Sequence, residues 1–174
     1  MAARRARPSR IPLGPDGKPR HALTADGVLF HGHAVLLIRR GHDPFKGRFA
    51  LPGGFVEGHE SAGQAVVREM KEETGLTTRI EGLIGFYSDP GRDPRGPTAT
   101  AVYLVSRLGG RLRAGDDASA ARFVPIAKAR REHLAFDHDA VLADALLYRV
   151  ALSKIMEGAR SRNPGARRKR RTRR

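Results

Sequence analysis

The stretch GFVEGHESAGQAVVREMKEETGL, residues Gly54 to Leu76, places three glutamates at helical spacing: Glu69, Glu72 and Glu73. Residues three and four apart on an α-helix are neighbours, so the carboxylate of Glu69 lies beside the other two and the charges repel one another. A hard divalent cation reverses that repulsion, because Mg²⁺ takes oxygen ligands and is typically held by one or two carboxylates with phosphates and water. The pattern predicts a metal site that handles phosphate. The alternative is a solvated helix face.

The same stretch predicts where its helix begins and ends. Ser61 followed three residues later by Gln64 is a capping-box pattern, which satisfies backbone amides at a helix start. Gly75 can adopt the left-handed conformation that ends a helix. Between these positions, apolar residues at helical spacing form a stripe on the face away from the acids. These residues are Ala62, Ala65, Val66 and Met70.

The stretch also resembles the signature of the Nudix hydrolases. That signature is glycine, five residues, glutamate, seven residues, Arg-Glu, an apolar residue, any residue, Glu-Glu, any residue, glycine and an apolar residue. The resemblance implies an enzyme that cleaves the pyrophosphate of a nucleoside diphosphate linked to another group. Every fixed position is filled here, by Gly54, Glu60, Arg68, Glu69, Met70, Glu72, Glu73, Gly75 and Leu76.

The resemblance implies a set of metal ligands. Glu69 and Glu73 would be the main ligands of Mg²⁺, with Mn²⁺ as an alternative ion. Glu72 would share a further ion. Additional ligands would come from Glu57 in the loop and from the carbonyl of Gly53, just before the signature.

Other residues of the signature are expected to have different roles. Glu60 and Arg68 would pair across the junction of loop and helix and hold its shape. The bound ions would lower the pKa of a water molecule, which is the nucleophile. The general base stays open, because relatives take it from a signature glutamate or from a downstream loop. Glu72 is the provisional choice beside Glu73, and Asp117 in the loop AGDDASA is the downstream candidate.

The formal charge of +15 is concentrated in two terminal segments. Residues 1–20 carry six Lys or Arg and one Asp, and residues 159–174 carry nine Lys or Arg and no acid. Residues 21–158 carry 18 basic and 17 acidic side chains. We therefore expect one Nudix domain over 21–158, a basic flexible segment over 1–20 and a basic disordered tail over 159–174. These segments could contact nucleic acid or another polyanion non-specifically, or simply be solvated.

Composition excludes several classes of protein. The chain has no cysteine, which excludes disulfides, thiol catalysis and cysteine-zinc sites. No apolar stretch approaches the roughly 18 residues that span a bilayer, and no signal-peptide pattern follows the basic N-terminus. A cytoplasmic protein without membrane contact is the expectation. The histidines, His138 among them, lack a zinc-binding spacing and are interpreted mostly as surface residues.

The domain between the terminal segments has a mixed α and β pattern. Residues 139–156 repeat apolar side chains at helical spacing and predict a long closing helix, which Asp137 can cap. Strands on both sides of a central helix, followed by a closing helix, predict an α/β fold: an α/β/α sandwich with a mixed β-sheet. The Nudix resemblance implies the same fold. The predicted strands are 23–30, 34–39, 49–51, 78–87, 98–107 and 122–125.

Three segments outside the signature resemble the ADP-ribose pyrophosphatase subgroup and related regulators of NAD metabolism. This resemblance implies that ADP-ribose is hydrolysed to AMP and ribose 5-phosphate. Arg92 and Arg95 carry planar forks of donors suited to phosphate, and Arg39 is a third predicted substrate contact. The segments are RRGHDPFKGRFALPGG at 39–54, YSDPGRDPRGPTATAVYL at 87–104 and LAFDHDAVLADAL at 134–146.

Other functions stay open on the sequence alone. The same chemistry would suit NADH, another nucleotide sugar, an oxidised dNTP or an RNA 5′ end. The related regulators sense ADP-ribose-type ligands and carry a winged-helix domain after the Nudix part. Because the signature is intact and the sequence ends soon after the last predicted helix, we expect an enzyme rather than a regulator. The subgroup resemblance also implies a homodimer whose active sites use both subunits.

Overall fold

The computed structural model describes residues 21–115 and 118–162, and of residues 118, 119 and 160–162 it describes the backbone alone. The expected N-terminal segment over 1–20, and residues 163–174 of the expected tail, lie outside the described residues. The strands are β1 (Ala22–His31), β2 (Ala34–Arg40), β3 (Phe49–Ala50), β4 (Gly53–Phe55), β5 (Leu76–Tyr87), β6 (Thr98–Gly110) and β7 (Ala118–Pro125). The helices are α1 (Ala62–Thr74), α2 (Ile126–Ala129) and α3 (His138–Arg162).

The strands form one mixed sheet in the order β3-β2-β1-β6-β5, with β4 paired to β1 and β7 paired to β2. The β1 and β6 strands run parallel, and the other pairs are antiparallel. All six predicted strands are present, mostly longer than predicted. The short strand β4 and helix α2 were not predicted. The two glycines of β4 explain its omission, since glycine is depleted in strands.

Successive side chains of β1 are buried on opposite faces of the sheet. Leu29 packs in a cluster with Val66 and Met70 of α1. Val28 packs on the other face, in a cluster with Leu142 of α3. Because side chains alternate along a strand, one buried strand supports helices on both sides. The predicted α/β/α sandwich is therefore confirmed.

The ends of α1 follow the predicted chemistry. The Gln64 amide donates to Oγ of Ser61 at 3.2 Å, and the Ser61 amide donates to Oε1 of Gln64 at 2.9 Å, which completes the capping box. Gly75 ends the helix with φ of 71°, in the left-handed region, and its amide donates to the Lys71 carbonyl. These two caps set the register of α1, and so decide which of its side chains face the sheet.

The closing helix is longer than the sequence indicated. It continues to Arg162 and so includes residues 159–162, which the sequence analysis assigned to a disordered tail. Ala and Arg are good helix formers, which favours this extension. No helix within the described ranges is long and apolar enough to cross a membrane.

We predict that Gly75→Ala lowers the free energy of unfolding by about 1 kcal/mol or more, because a left-handed backbone is costly for alanine. The new Cβ would also lie 2.5 Å from the carbonyl oxygen of Arg111. Gly58→Ala is the matched control, since nothing lies within 4 Å of its Cβ position. Chemical denaturation should show a clear loss for the first variant and a change within about 0.5 kcal/mol for the second. Equal stability of the two variants would contradict the role of Gly75.

Candidate active site

A cleft of about 730 Å³ opens where β1, β2, β4, α1 and the loops that precede β6 and α3 meet. Its lining combines carboxylates, arginines and aromatic rings. That combination suits a ligand with negative charge and a flat ring. The lining includes Asp26, Arg40, Gly53, Gly54, Phe55, Glu57, Glu69, Glu73, Arg92, Asp93, Arg95, Phe136 and His138.

Glu69 and Glu73, one helical turn apart on α1, both line the cleft. Only 15% of the Glu69 side chain is exposed. Burial raises the pKa of the Glu69 carboxyl, against the opposing effect of Arg68. The pKa of the Glu73 carboxyl is raised well above its usual range, mainly by burial and secondly by the charge of Glu69. Two carboxylates that are costly to ionise together favour a proton or a cation between them.

The two glycines of β4 make room for the carboxylates. A Cβ atom at Gly54 would overlap the carboxylate of Glu69, and one at Gly53 would overlap Oδ1 of Asp26. The Gly53 amide donates to Oε2 of Glu73 at 2.9 Å. Any larger residue at either position would push a carboxylate out of the cleft. Glycine at positions 53 and 54 is thus required by close packing against acidic side chains.

The expected pair between Glu60 and Arg68 is present. Nη2 of Arg68 lies 2.6 Å from Oε1 of Glu60, and Nε donates to Oε2 at 3.1 Å, which makes the contact bidentate. The hydrogen bond from Arg68 lowers the pKa of Glu60 to about 2. The same guanidinium donates to the Phe55 carbonyl and to Oε1 of Glu69. Arg68 therefore joins the loop, β4 and one cleft carboxylate.

The remaining predicted acids lie in different surroundings. Glu72 is not part of the cleft lining; its side chain is 60% exposed and accepts a hydrogen bond from Arg68 at 3.2 Å. Glu57 lines the cleft at its exposed edge, with a carboxylate oxygen 3.7 Å from Nε2 of His59. Asp117, the downstream candidate for the base, lies outside the described residues. The structure gathers Glu69, Glu73, Gly53 and Glu57 of the predicted set in the cleft lining, and Glu72 lies beside it, because Nη1 of Arg68 donates to both Glu69 and Glu72.

Arg40 and Arg95 supply positive charge to the cleft. The Arg40 guanidinium lies 4.8 Å from the centroid of the Phe136 ring, and that of Arg95 lies 5.6 Å from it. The pKa of Arg40 is lowered, mainly by burial and secondly by the charge of Arg95. Arg95 is also paired with the buried carboxylate of Asp93 at 2.6 Å. Two arginines that repel each other in a cleft make a favourable site for phosphate.

Arg39, a predicted substrate contact, lies outside the cleft lining, whereas its neighbour Arg40 is part of that lining. The guanidinium of Arg39 lies 5.2 Å from the centroid of the Phe49 ring. Side chains alternate along a regular strand, but the pairing of β2 with β7 is irregular between these two residues, so local sequence does not indicate which of them borders the cleft. Arg40 was not among the predicted substrate contacts.

Arg92 borders the cleft but is largely engaged within the protein. Its Nε and Nη2 atoms donate to the two carboxylate oxygens of Asp137 at 2.8 and 2.6 Å, and Nη1 donates to the hydroxyls of Thr98 and Thr100. Only 5% of the Arg92 side chain is exposed. This residue therefore ties the loop before β6 to the start of α3. The Asp137 carboxylate, predicted to cap that helix, accepts both hydrogen bonds from Arg92.

Two cleft residues were missed or misjudged in the sequence. Asp26 is a buried acid in the mostly apolar strand β1, which is a signal that sequence reasoning could have used. His138 is 3% exposed, so its interpretation as a surface residue is wrong. Its Nδ1 atom accepts a hydrogen bond from the Leu51 amide at 3.0 Å. No local pattern identified the role of His138, because Leu51 lies 87 positions away in the sequence.

Residues 20–145 match the sequence profile of the NUDIX domain. The chain belongs to the Nudix family. The match spans the whole cleft, including the signature, both cleft arginines and the start of α3. The family prediction made from the signature is therefore confirmed.

A relative of known sequence supports the subgroup assigned to this Nudix protein. The ADP-ribose pyrophosphatase of Methanocaldococcus jannaschii is 46% identical to it over 128 residues. The aligned region covers 74% of this chain and 75% of the relative. An alignment of that length includes the domain core and leaves out about a quarter of each protein.

Two solved structures resemble this Nudix protein. The NUDIX domain of Shewanella oneidensis NrtR, complexed with ADP ribose, has a TM-score of 0.70 and 30% identity, covering 78% of this chain and 92% of that one. A bifunctional NMN adenylyltransferase/ADP ribose pyrophosphatase from Francisella tularensis, complexed with AMP and a Mn ion, has a TM-score of 0.67 and 25% identity. The match covers 74% of this chain and 42% of the bifunctional protein.

We predict that Glu73→Gln raises the melting temperature of the protein in EDTA at neutral pH, because it removes a buried charge beside Glu69. The raised pKa of Glu73 means that the folded state binds this proton more tightly than the unfolded chain. The cost of ionising Glu73 is therefore fully present above the raised pKa, decreases as the pH falls below it, and is gone below the ordinary pKa that the carboxyl has in the unfolded chain. Melting curves across pH should show the two proteins converging in mildly acidic solution.

Glu72→Gln is the control for this measurement. Its side chain is mostly exposed, so the same chemical change should shift the melting temperature less. A Glu73→Gln protein that is less stable than the unsubstituted protein at neutral pH, without metal, would contradict the assignment of Glu73 as a strained buried carboxylate.

Proposed function

We propose that this Nudix hydrolase cleaves the pyrophosphate of ADP-ribose and releases AMP and ribose 5-phosphate. The observation that carries the proposal is the cleft, which gathers Glu69 and Glu73 with Arg40 and Arg95. Carboxylates suit a hard cation, and arginines suit the phosphates that such a cation accompanies. The 46% identity to an ADP-ribose pyrophosphatase supports this substrate.

The residues present fit a divalent ion held in part by the substrate. No group of three or more His, Asp or Glu side chains in the described part of the chain is arranged to hold a metal by itself. Mg²⁺ does not require such a group, because it is usually bound through one or two carboxylates together with waters and substrate phosphates. Glu69 and Glu73 would provide the carboxylates, with Glu57 and the carbonyl of Gly53 nearby. Mg²⁺ is the proposed ion, and Mn²⁺ is the alternative.

The residues of the cleft would have separate roles in the reaction. When bound, the metal would lower the pKa of a water molecule and offset charge on the phosphates. The Gly53 amide holds the carboxylate of Glu73, and Arg68 holds that of Glu69. Arg40 and Arg95 would bind the diphosphate, and the Phe136 ring beside them would exclude water from it. Glu72, which shares Nη1 of Arg68 with Glu69, stays the proposed ligand of a further ion and a candidate for the general base.

A substrate panel tests the proposal. Wild-type protein with Mg²⁺ should hydrolyse ADP-ribose with a higher kcat/KM than NADH, other nucleotide sugars, an oxidised dNTP or 5′-triphosphorylated RNA. Glu73→Gln should lower turnover by roughly 100- to 1,000-fold, which corresponds to ~3–4 kcal/mol of lost transition-state stabilisation. Faster turnover of a triphosphate would overturn the substrate, and tight ADP-ribose binding without turnover would favour a ligand-sensing protein.

Neighbouring arginines provide matched controls for the panel. Arg40→Gln should lower kcat/KM for ADP-ribose by about 10- to 100-fold, the usual cost of a lost hydrogen bond to a charged group. Arg39→Gln, one residue away and outside the cleft lining, should change it by less than about threefold. Equal losses in both variants would indicate a disturbance of β2 rather than a lost phosphate contact.

We also propose that the protein forms a homodimer through β5 and α3. Within the described residues β5 ends the sheet, and long exposed strand edges favour pairing with another chain. Apolar side chains are exposed on both elements: Leu83 and Phe86 of β5 are 51% and 59% exposed, and Leu147 of α3 is 70% exposed. The Tyr87 hydroxyl donates to Asp144 of α3 at 2.9 Å, which holds the two elements together. A second copy of the chain would cover both surfaces.

We predict that the protein sediments as a dimer and that Phe86→Glu converts it to a monomer, because a buried charge would face its own copy across a symmetric interface. Sedimentation velocity at micromolar concentration measures this. Glu81→Gln on the same strand is the control and should leave the dimer intact. A monomeric wild-type protein would contradict the proposal.

A further inference from the structure

His138, the first residue of α3, joins two other elements that border the cleft. Nδ1 accepts a hydrogen bond from the Leu51 amide at 3.0 Å. Nε2 lies 3.3 Å from Oδ2 of Asp26 in β1. The histidine side chain is 4% exposed and that of Asp26 is 10% exposed, so both contacts are shielded from water. The ring therefore links α3, the chain just before β4, and β1.

The hydrogen bond from Leu51 determines where the ring carries its proton. A nitrogen that accepts from a backbone amide carries no hydrogen, so the single ring proton of this tautomer is on Nε2. The Nε2 atom faces the carboxylate of Asp26. The N–H group of His138 thus meets a negative charge that would otherwise be buried without a polar neighbour on that side.

Asp26 is held from its other side by the glycine strand. Its Oδ1 atom packs so closely on Gly53 that a Cβ there would overlap it. Gly53 in turn binds Glu73 through its amide. Gly54, the next residue, packs just as closely on the carboxylate of Glu69, so the carboxylates of Asp26, Glu69 and Glu73 all lie against the same two glycines in the cleft lining.

The sheet does not need a charge at this position. Asp26 lies in β1, whose backbone pairs with β4 and with β6 at this residue. Burying a charged side chain in such a strand costs free energy, whereas an apolar residue of similar size would not. The Asp26 carboxylate therefore lowers the free energy of unfolding, and any benefit from it must lie in the chemistry of the cleft.

We propose that His138 is a positioning residue, which holds the Asp26 carboxylate beside Glu69 and Glu73 so that its negative charge strengthens the binding of a divalent cation there. The inference rests on the proposed function, because it requires a cation at Glu69 and Glu73. His138 acts through Asp26 and touches neither the cation nor the substrate. Asp26 acts through its fixed charge in a poorly solvated cleft, where charge interactions are strong.

The test measures Mn²⁺ binding to the full chain without substrate, by the loss of the free Mn²⁺ signal in electron paramagnetic resonance. Asp26→Asn removes the charge and keeps the shape. His138→Asn keeps an acceptor at the Nδ1 position for Leu51 and removes the group that faces Asp26. His138→Gln keeps a donor at the Nε2 position. Glu73→Gln serves as the reference for loss of the cation site.

Asp26→Asn and His138→Asn should each weaken Mn²⁺ binding by about 10- to 100-fold, the range typical of residues that support metal ligands. His138→Gln should recover most of the affinity. In the Asp26→Asn background, His138→Asn should have little further effect, because the two residues act as one unit. In hydrolysis assays, the Mn²⁺ concentration for half-maximal rate should rise while kcat at saturating Mn²⁺ changes only a few-fold.

Unchanged Mn²⁺ affinity in Asp26→Asn, with affinity lost in Glu73→Gln, would overturn the inference and leave the proposed function intact. Unchanged affinity in Glu73→Gln as well would overturn the proposed metal site itself. If His138→Asn lowers Mn²⁺ affinity by the same factor in the wild-type protein and in the Asp26→Asn background, its effect is a general one on the fold. That result would also overturn the inference. If circular dichroism shows that His138→Asn does not fold, Asp26→Asn and His138→Gln decide the outcome.

Discussion

The contact between the glycine strand β4 and the carboxylates of α1 is the constraint on which the site depends. Gly54 leaves room for the carboxylate of Glu69, and the Gly53 amide binds Glu73. This contact requires α1 to have a fixed position along its axis and a fixed rotation about that axis relative to the sheet. The caps at Ser61 and Gly75 determine where the helix begins and ends, and the apolar stripe of α1 packs on the sheet and fixes its rotation.

The arginines around this contact have separate functions because their surroundings differ. Arg68 connects the loop to the helix through a bidentate pair with Glu60. Arg92 is buried, and most of its donors are used to join a loop to the start of α3. Arg40 and Arg95 line the cleft near each other, where an anion would offset their charges. Burial and available donors, rather than residue type, distinguish structural arginines from proposed phosphate contacts.

The cleft concentrates charges that weaken the fold in the absence of a ligand. Buried carboxylates cost free energy, and the raised pKa values of Glu69 and Glu73 express that cost. The capping box and the buried clusters on both faces of the sheet are not involved in the proposed chemistry and supply compensating stability. Proteins commonly place such locally unfavourable groups at functional sites. The fold and the cleft are therefore coupled through α1, which contributes to both.

The sequence by itself determined features that depend on neighbours along the chain. The caps of α1, the spacing of its glutamates and the pairing of Glu60 with Arg68 follow from local geometry, and the signature identified the family. Only the tertiary structure decided contacts between distant residues. Arg92 meets Asp137 across 45 positions, and Leu51 meets His138 across 87. Which of Arg39 and Arg40 borders the cleft was decided in the same way. Such contacts depend on how the strands and helices pack together, and a local pattern carries no information about that packing.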